Sequence, residues 1–128
     1  MNLLGEEVDK KYDIRKRTLE LSVDTIKHFQ ANPKASYIDQ IIIKQLIRAI
    51  TSIGANIQEA KGAQSQKDYI NFFSIALKSA NESKYWFEII LSILKSEDCE
   101  LAKLYSETDE IAKIIASCII KMRKNNIK

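Results

Sequence analysis

Apolar residues recur at intervals of three and four along almost the whole chain, the spacing that lines one face of an α-helix. Three breaks divide this pattern. Asn32-Pro33 closes the first segment, because proline cannot continue a helix and pushes the preceding residue out of the α region. Lys61-Gly62 closes the second, with glycine available for a left-handed cap. Ser65 with Asp68, and Ser96-Glu97-Asp98, open the third and fourth: a side-chain oxygen can accept from an orphan N–H there, and a carboxylate suits the helix dipole. The expected helices cover about residues 8–31, 37–61, 66–95 and 99–124. Their apolar faces carry Val8, Tyr12, Leu19, Ile26 and Phe29; then Ile42, Leu46, Ile50, Ile53, Ile57 and Ala60; then Ile70, Phe73, Leu77, Ala80, Phe87, Leu91 and Leu94; and finally Leu101, Leu104, Ile111, Ile115, Cys118 and Met122. Short connections make successive helices antiparallel neighbours, so the expected fold is all-α, an antiparallel up-down-up-down four-helix bundle forming one domain over 1–128.

The third helix has more apolar surface than one core needs. A second stripe of Ile75, Ser79, Trp86, Ile89 and Ile93 runs beside the first, and YWFEIILSIL is apolar nearly all round. Such a helix is buried on more than one side. Either it sits centrally in a lone bundle, or Ile75, Trp86, Ile89 and Ile93 meet another copy of the chain, as exposed apolar patches commonly do. Beside the apolar face of the second helix, Gln45, Arg48, Ser52, Asn56 and Glu59 form a strip that is neither core nor plainly solvent. Glu82 falls on the second stripe of the third helix near Ser79, where a carboxylate needs a partner; Arg48 or a basic group of a neighbouring chain is the natural candidate.

Composition is consistent with this architecture and narrows the function. The 128 residues can bury roughly two-thirds of their unfolded surface. With 45% hydrophobic residues, 29% charged, three Gly and one Pro, a turn-rich β fold and disorder are both disfavoured. No apolar run approaches the ~20 residues that span a bilayer, and the start shows no signal-peptide core, so a cytoplasmic protein is expected. Cys99 and Cys118 have neither CxxC spacing nor nearby histidines, which suggests reduced thiols rather than a disulfide or a zinc site. Di-iron bundles need Glu-x-x-His pairs, and the one histidine, His28, follows Thr25 at that spacing. His28 is expected on a helix surface. Glycines at 5, 54 and 62 make no phosphate-cradling loop, and no Ser, Cys or Thr has the relay a nucleophile requires. No enzyme activity and no cofactor are expected.

From Tyr37 to about Leu94 the sequence resembles the four-helix-bundle proteins encoded by intervening sequences in bacterial 23S ribosomal RNA genes. Gln45, Arg48, Ala49, Ser52, Ile53, Asn56, Ile57 and Glu59, followed by Tyr69, Phe73, Ile75, Ala76, Ser79 and Glu82, match the family pattern in order, polar members included. The departures are Ala60 and Lys61 between Glu59 and Gly62, and the absence of the family's Leu-x-Val-Trp opening in the first helix. The resemblance implies a bundle assembling as a homo-oligomeric ring, a homopentamer. It also implies a likeness in architecture to the accessory variability proteins of diversity-generating retroelements, basic pentameric bundles that bind nucleic acid.

The net charge of +3 is mild, but residues 1–17 with 121–128 carry a balance of +5. An up-down-up-down bundle would gather Lys10, Lys11, Arg15, Lys16, Arg17, Lys61, Lys67, Lys121, Arg123 and Lys124 at one end. A ring would align these ends into a patch able to displace counterions from phosphates. The expected function is an oligomeric, non-enzymatic accessory protein that binds nucleic acid, with RNA favoured by the family's genomic setting. The alternative is a structural scaffold for a protein partner, whose terminal charges only complement helix dipoles.

Overall fold

The computed structural model describes residues 13–33, 35–94 and 98–126. Four helices account for nearly all of them: α1 (Ile14–Ala31), α2 (Tyr37–Ala60), α3 (Gln66–Ile93) and α4 (Cys99–Asn126). Three begin on a side-chain cap that satisfies an otherwise orphaned amide. Ser36 Oγ accepts from Asp39 N at 3.1 Å, Ser65 Oγ from Asp68 N at 3.0 Å, and Asp98 Oδ1 from Leu101 N at 3.0 Å. The caps by Ser65 and by Asp98, the last of the expected Ser96-Glu97-Asp98 run, agree with expectation; Ser96 and Glu97 lie outside the described residues, as do residues 8–12 of the expected first helix. Asp13, just before α1, stands in the left-handed region at φ 49°.

The end of α2 departs from expectation. Gly62 is not left-handed, since no glycine has positive φ among the described residues. Instead Lys61, Gly62 and Ala63 donate in turn to the carbonyls of Gln58, Glu59 and Ala60 at 3.2, 3.0 and 3.1 Å. Three successive i to i+3 bonds tighten the last turn and use up the carbonyls that a glycine cap would have served.

Each helix packs against its two neighbours in the order α1, α2, α3, α4 and back to α1, while the diagonal pairs stay apart. This is a four-helix bundle. Side-chain bonds mark every side. Arg15 reaches Gln58 and Ser22 reaches the Ile50 carbonyl between α1 and α2; Arg48 meets Glu82 and Ser79 meets Ser52 between α2 and α3. Lys84 meets Asp109 and Tyr105 meets Glu88 between α3 and α4; Arg17 meets Glu107 and His28 meets Asp98 between α4 and α1. Inside, Leu46, Ile50, Ile53, Ile57, Phe73, Phe87, Leu101, Ile111, Ile115 and Met122 are fully buried, largely the residues that the periodicity selects.

The face of α1 is corrected. Leu19, expected in the core, is 63% exposed, and the buried positions are Ile14, Thr18, Leu21 and Thr25. Threonine can serve there because its hydroxyl is satisfied within the helix. Thr18 donates to the Arg15 carbonyl at 3.0 Å and Thr25 to the Leu21 carbonyl at 2.7 Å, which leaves each methyl to pack. Leu94, also expected inside, is exposed at the end of α3.

Candidate functional site

The polar strip and the second apolar stripe share one outer face, along the seam between α2 and α3. Steps of three and four place Ile38, Ile41, Gln45, Arg48, Ser52, Asn56 and Glu59 in one row on α2, and Ile75, Ser79, Glu82, Trp86, Ile89 and Ile93 in one row on α3. The expected pairing of Arg48 with Glu82 is present. Arg48 Nε also donates to Gln45 Oε1 at 3.1 Å, and Trp86 Nε1 donates to Glu82 Oε2 at 2.9 Å. Below this cluster Ser79 Oγ donates to Ser52 Oγ at 2.9 Å, and Asn56 Nδ2 donates to the Ser52 carbonyl at 2.8 Å and its hydroxyl at 3.1 Å. Glu59 is exposed, and its carboxylate makes no hydrogen bond or ion pair among the described residues.

Of the stripe proposed from sequence, Ile75 and Ile93 are exposed, at 37% and 47%, while Trp86 and Ile89 are half-buried. Ile38 (70% exposed) and Ile41 extend the apolar surface on α2 and were not singled out by periodicity. Three consecutive isoleucines, Ile41 to Ile43, hide which of them faces the core. The continuation of the polar row through 45, 41 and 38 was the available signal.

The candidate cations divide into three groups. Lys10 and Lys11 lie outside the described residues. Arg15 and Lys16 are exposed at the start of α1, Lys67 at the start of α3, and Lys121, Arg123 and Lys124 at the end of α4; Lys61 is half-buried at the end of α2. Arg15 bonds Gln58, one turn before Lys61, and Lys67 and Arg123 line one groove. Arg17 is committed elsewhere. Its guanidinium donates to both Glu107 oxygens, at 2.9 and 2.6 Å, and lies 3.3 Å from Glu110, so the Glu107 bonds hold it more firmly protonated than usual.

Charges on the outer seam of α3 and α4 are also paired. Lys84 at 2.8 Å and Lys113 at 3.1 Å flank Asp109 and hold its carboxyl below the usual carboxylate range, Lys84 contributing most. The same hydrogen bond raises Lys84. Tyr105 donates to Glu88 at 3.1 Å, and that bond raises the phenol.

His28 is corrected from a surface residue to a largely buried one. Its side chain is 11% exposed, edge-on to Phe29 and 3.2 Å from Asp98 Oδ2, so it ties the end of α1 to the cap of α4. Cys99 is exposed, Cys118 is buried, and the two are not bonded. Among the described residues no three His, Cys, Asp or Glu side chains gather as a metal site, and no helix is long and apolar enough to cross a membrane.

The sequence model of the 23S rRNA-intervening sequence protein family matches residues 10–117. Among solved structures, a protein of unknown function from the S23 ribosomal protein family of Bacteroides thetaiotaomicron VPI-5482 is 34% identical, with a TM-score of 0.73. The match covers 83% of this chain and 97% of that one. No curated protein is similar enough in sequence to count as a relative.

Proposed function

The chain belongs to the 23S rRNA-intervening sequence protein family, and from that premise we propose that it is a non-enzymatic accessory protein of the cytoplasm, assembled as a homo-oligomeric ring, that binds nucleic acid and prefers RNA. The observation that carries this reading is the set of exposed cations at one end. Arg15, Lys16, Lys67, Lys121, Arg123 and Lys124 outnumber the exposed acids near them, Asp13, Glu59 and Asp68. The end is only modestly basic in one copy. Aligned in a ring, several such ends would make a field that displaces counterions from phosphates.

An antiparallel, up-down-up-down course underlies this placement. Its support is the order of the cross-helix pairs: as numbers rise on one helix they fall on its neighbour, from Arg15–Gln58 to Ser22–Ile50, from Arg48–Glu82 to Ser52–Ser79, and from Lys84–Asp109 to Glu88–Tyr105. The ring reading rests on two unlike surfaces. One is the α2/α3 face of Ile38, Ile41, Ile75 and Ile93; the other is a groove of about 600 Å³ between α1 and α2, where exposed Leu19 stands over Gly54 and Ala55. Both flank α2, so they face outward at an angle rather than back to back. A heterologous contact makes a ring where its rotation closes, and the ring reading takes this contact to do so. Five copies is the number implied by the family resemblance.

Fluorescence anisotropy titration against structured ribosomal RNA and duplex DNA, over a salt series, tests the binding. The reading expects affinity that falls steeply with salt and weakens when Arg15, Lys16, Lys121 and Lys124 become Gln. Absence of binding at the lowest salt would overturn it. Sedimentation velocity tests the ring, and a strict monomer at micromolar concentration would remove it.

A further inference from the structure

The outer seam of α3 and α4 changes character along its length. Through its middle, polar groups of both helices pair off: Glu88 with Tyr105, and Lys84 and Lys113 with Asp109. Toward the start of α3 it opens into a groove of about 760 Å³ lined by Lys67, Asp68, Ile70, Asn71, Ser74 and Arg123. Here the pairing stops. The side chains of Lys67, Asn71, Ser74 and Arg123 make no hydrogen bond or ion pair among the described residues.

Lys67, Asn71 and Ser74 follow one another at steps of four and three, so they line one wall, and Arg123 stands on the other. Ile70, almost fully buried, lies at the base. An ammonium, a guanidinium, an amide and a hydroxyl present many N–H and O–H donors, against one carboxylate, Asp68. A groove so rich in donors suits a ligand rich in acceptors and carrying negative charge.

We propose that this groove holds the sugar–phosphate backbone of RNA, with Lys67 and Arg123 on phosphate oxygens and Asn71 and Ser74 on ribose hydroxyls. The proposal rests on the nucleic-acid reading above and adds a site to it. Lys, Arg, Asn and Ser are the usual donors to phosphate and sugar, and the 2′-hydroxyl is what a protein uses to tell RNA from DNA. No aromatic side chain lines the groove, so it offers no surface for a base to stack on. Asp68 leaves each groove only weakly positive, and useful affinity comes from repetition of the groove around the ring. Arg123 stands on α4, six residues beyond the 10–117 that the family model matches.

The test uses the full-length protein with two fluorescein-labelled hairpins of one sequence, one RNA and one DNA, titrated by anisotropy over a salt series. Lys67→Gln with Arg123→Gln is expected to flatten the salt dependence of RNA binding by a slope of roughly 2, about 1 for each lost phosphate contact. Asn71→Ala with Ser74→Ala is expected to bring RNA affinity down to that for DNA while leaving the salt slope unchanged. Lys44→Gln with Lys103→Gln, on exposed sites elsewhere, sets the baseline for loss of two charges, and circular dichroism confirms that each variant is folded. If the wild type binds RNA and the Lys67/Arg123 variant matches that baseline, the groove is refuted while the accessory function stands. An Asn71/Ser74 variant that keeps its RNA preference removes the ribose contacts. A wild type that binds neither hairpin overturns the nucleic-acid reading and the groove together.

Discussion

Gly54 sits inside α2 against Thr18 of α1, and replacing it should reverse the usual sign of a glycine substitution. On an open helix surface Gly→Ala stabilises by about 1 kcal/mol, because glycine loses the most backbone freedom on folding. At this position the new Cβ would stand 3.2 Å from Thr18 Oγ1 and 3.4 Å from Thr18 Cβ. Comfortable carbon contacts need about 3.5–4.0 Å. Thr18 is fully buried and its hydroxyl is tied to the Arg15 carbonyl at 3.0 Å, so it has little freedom to retreat. Crowding of this kind costs roughly 1–3 kcal/mol. Gly54→Ala should therefore lower stability by about 1 kcal/mol. Truncating Thr18→Ala first removes the nearest atom, and in that background Gly54→Ala should recover its helix gain of about 1 kcal/mol. The cycle then gives a coupling near 2 kcal/mol, within the range of about 0.5–3 kcal/mol found for residues in contact. Urea denaturation followed by helical circular dichroism, at one fixed protein concentration, measures all four proteins. Additivity, or a full gain from Gly54→Ala alone, would refute the close seating of α1 on α2.

Phe73→Ala, at the centre of the core and stacked on Tyr69, should cost about 3–5 kcal/mol; a loss under ~1 kcal/mol in the same denaturation assay would mean that the site collapses freely. Ser65→Ala removes the acceptor for Asp68 N and should cost about 1 kcal/mol, with Ser65→Asp restoring most of it; an Ala variant as stable as wild type would show the cap to be replaceable by water. Asp109, held below the usual carboxylate range by Lys84 and then Lys113, contributes stability that is present above its unfolded pKa and disappears as pH falls through the lower folded one. Wild type should therefore melt above Asp109→Asn at neutral pH and converge with it in acid; a gap that stays constant down to the acid limb would contradict the pairing.

Three of the four helices were legible because their buried stripes are aliphatic and aromatic, and one was not because its stripe is half threonine. Ile14, Thr18, Leu21 and Thr25 have regular helical spacing, but a reading that counts only apolar residues skips the hydroxyls and lands on Leu19, on the wrong side. The hydroxyls are invisible as core residues until their bonds to Arg15 and Leu21 are seen. His28 failed for a related reason. Its partner is the cap of a helix some seventy residues away, and no local pattern announces that meeting. Glu82 was legible because a carboxylate in an apolar stripe demands a nearby cation, and Arg48 lay on the facing row of the neighbouring helix. Arg17 shows the limit of counting charge. It belongs to the basic sequence block, yet Glu107 and Glu110, from the middle of α4, take it out of the set free to meet phosphates.

The satisfied state of Glu82 bears on why a polar strip can run through an otherwise apolar face. Burying an ionised carboxylate without a partner costs several kcal/mol, and an interface that had to supply the missing cation would need it placed by the neighbouring copy. Here Arg48 and Trp86 both donate to Glu82, and Gln45 accepts from Arg48 in turn, all within one protomer. Arg48 and Glu82 are thus matched within the protomer. What the face still offers outward is the hydrocarbon of Ile38, Ile41, Ile75 and Ile93, whose burial is the non-directional part of association. The same network fixes the two helices relative to each other, through bonds too specific to survive a one-turn slip of α2 against α3. Asn56, bonded to both the carbonyl and the hydroxyl of Ser52, and Ser79, bonded across the seam to that hydroxyl, continue this locking function away from the charged cluster. The polar strip is thus the register mark of the seam, and the isoleucines that border it stay exposed.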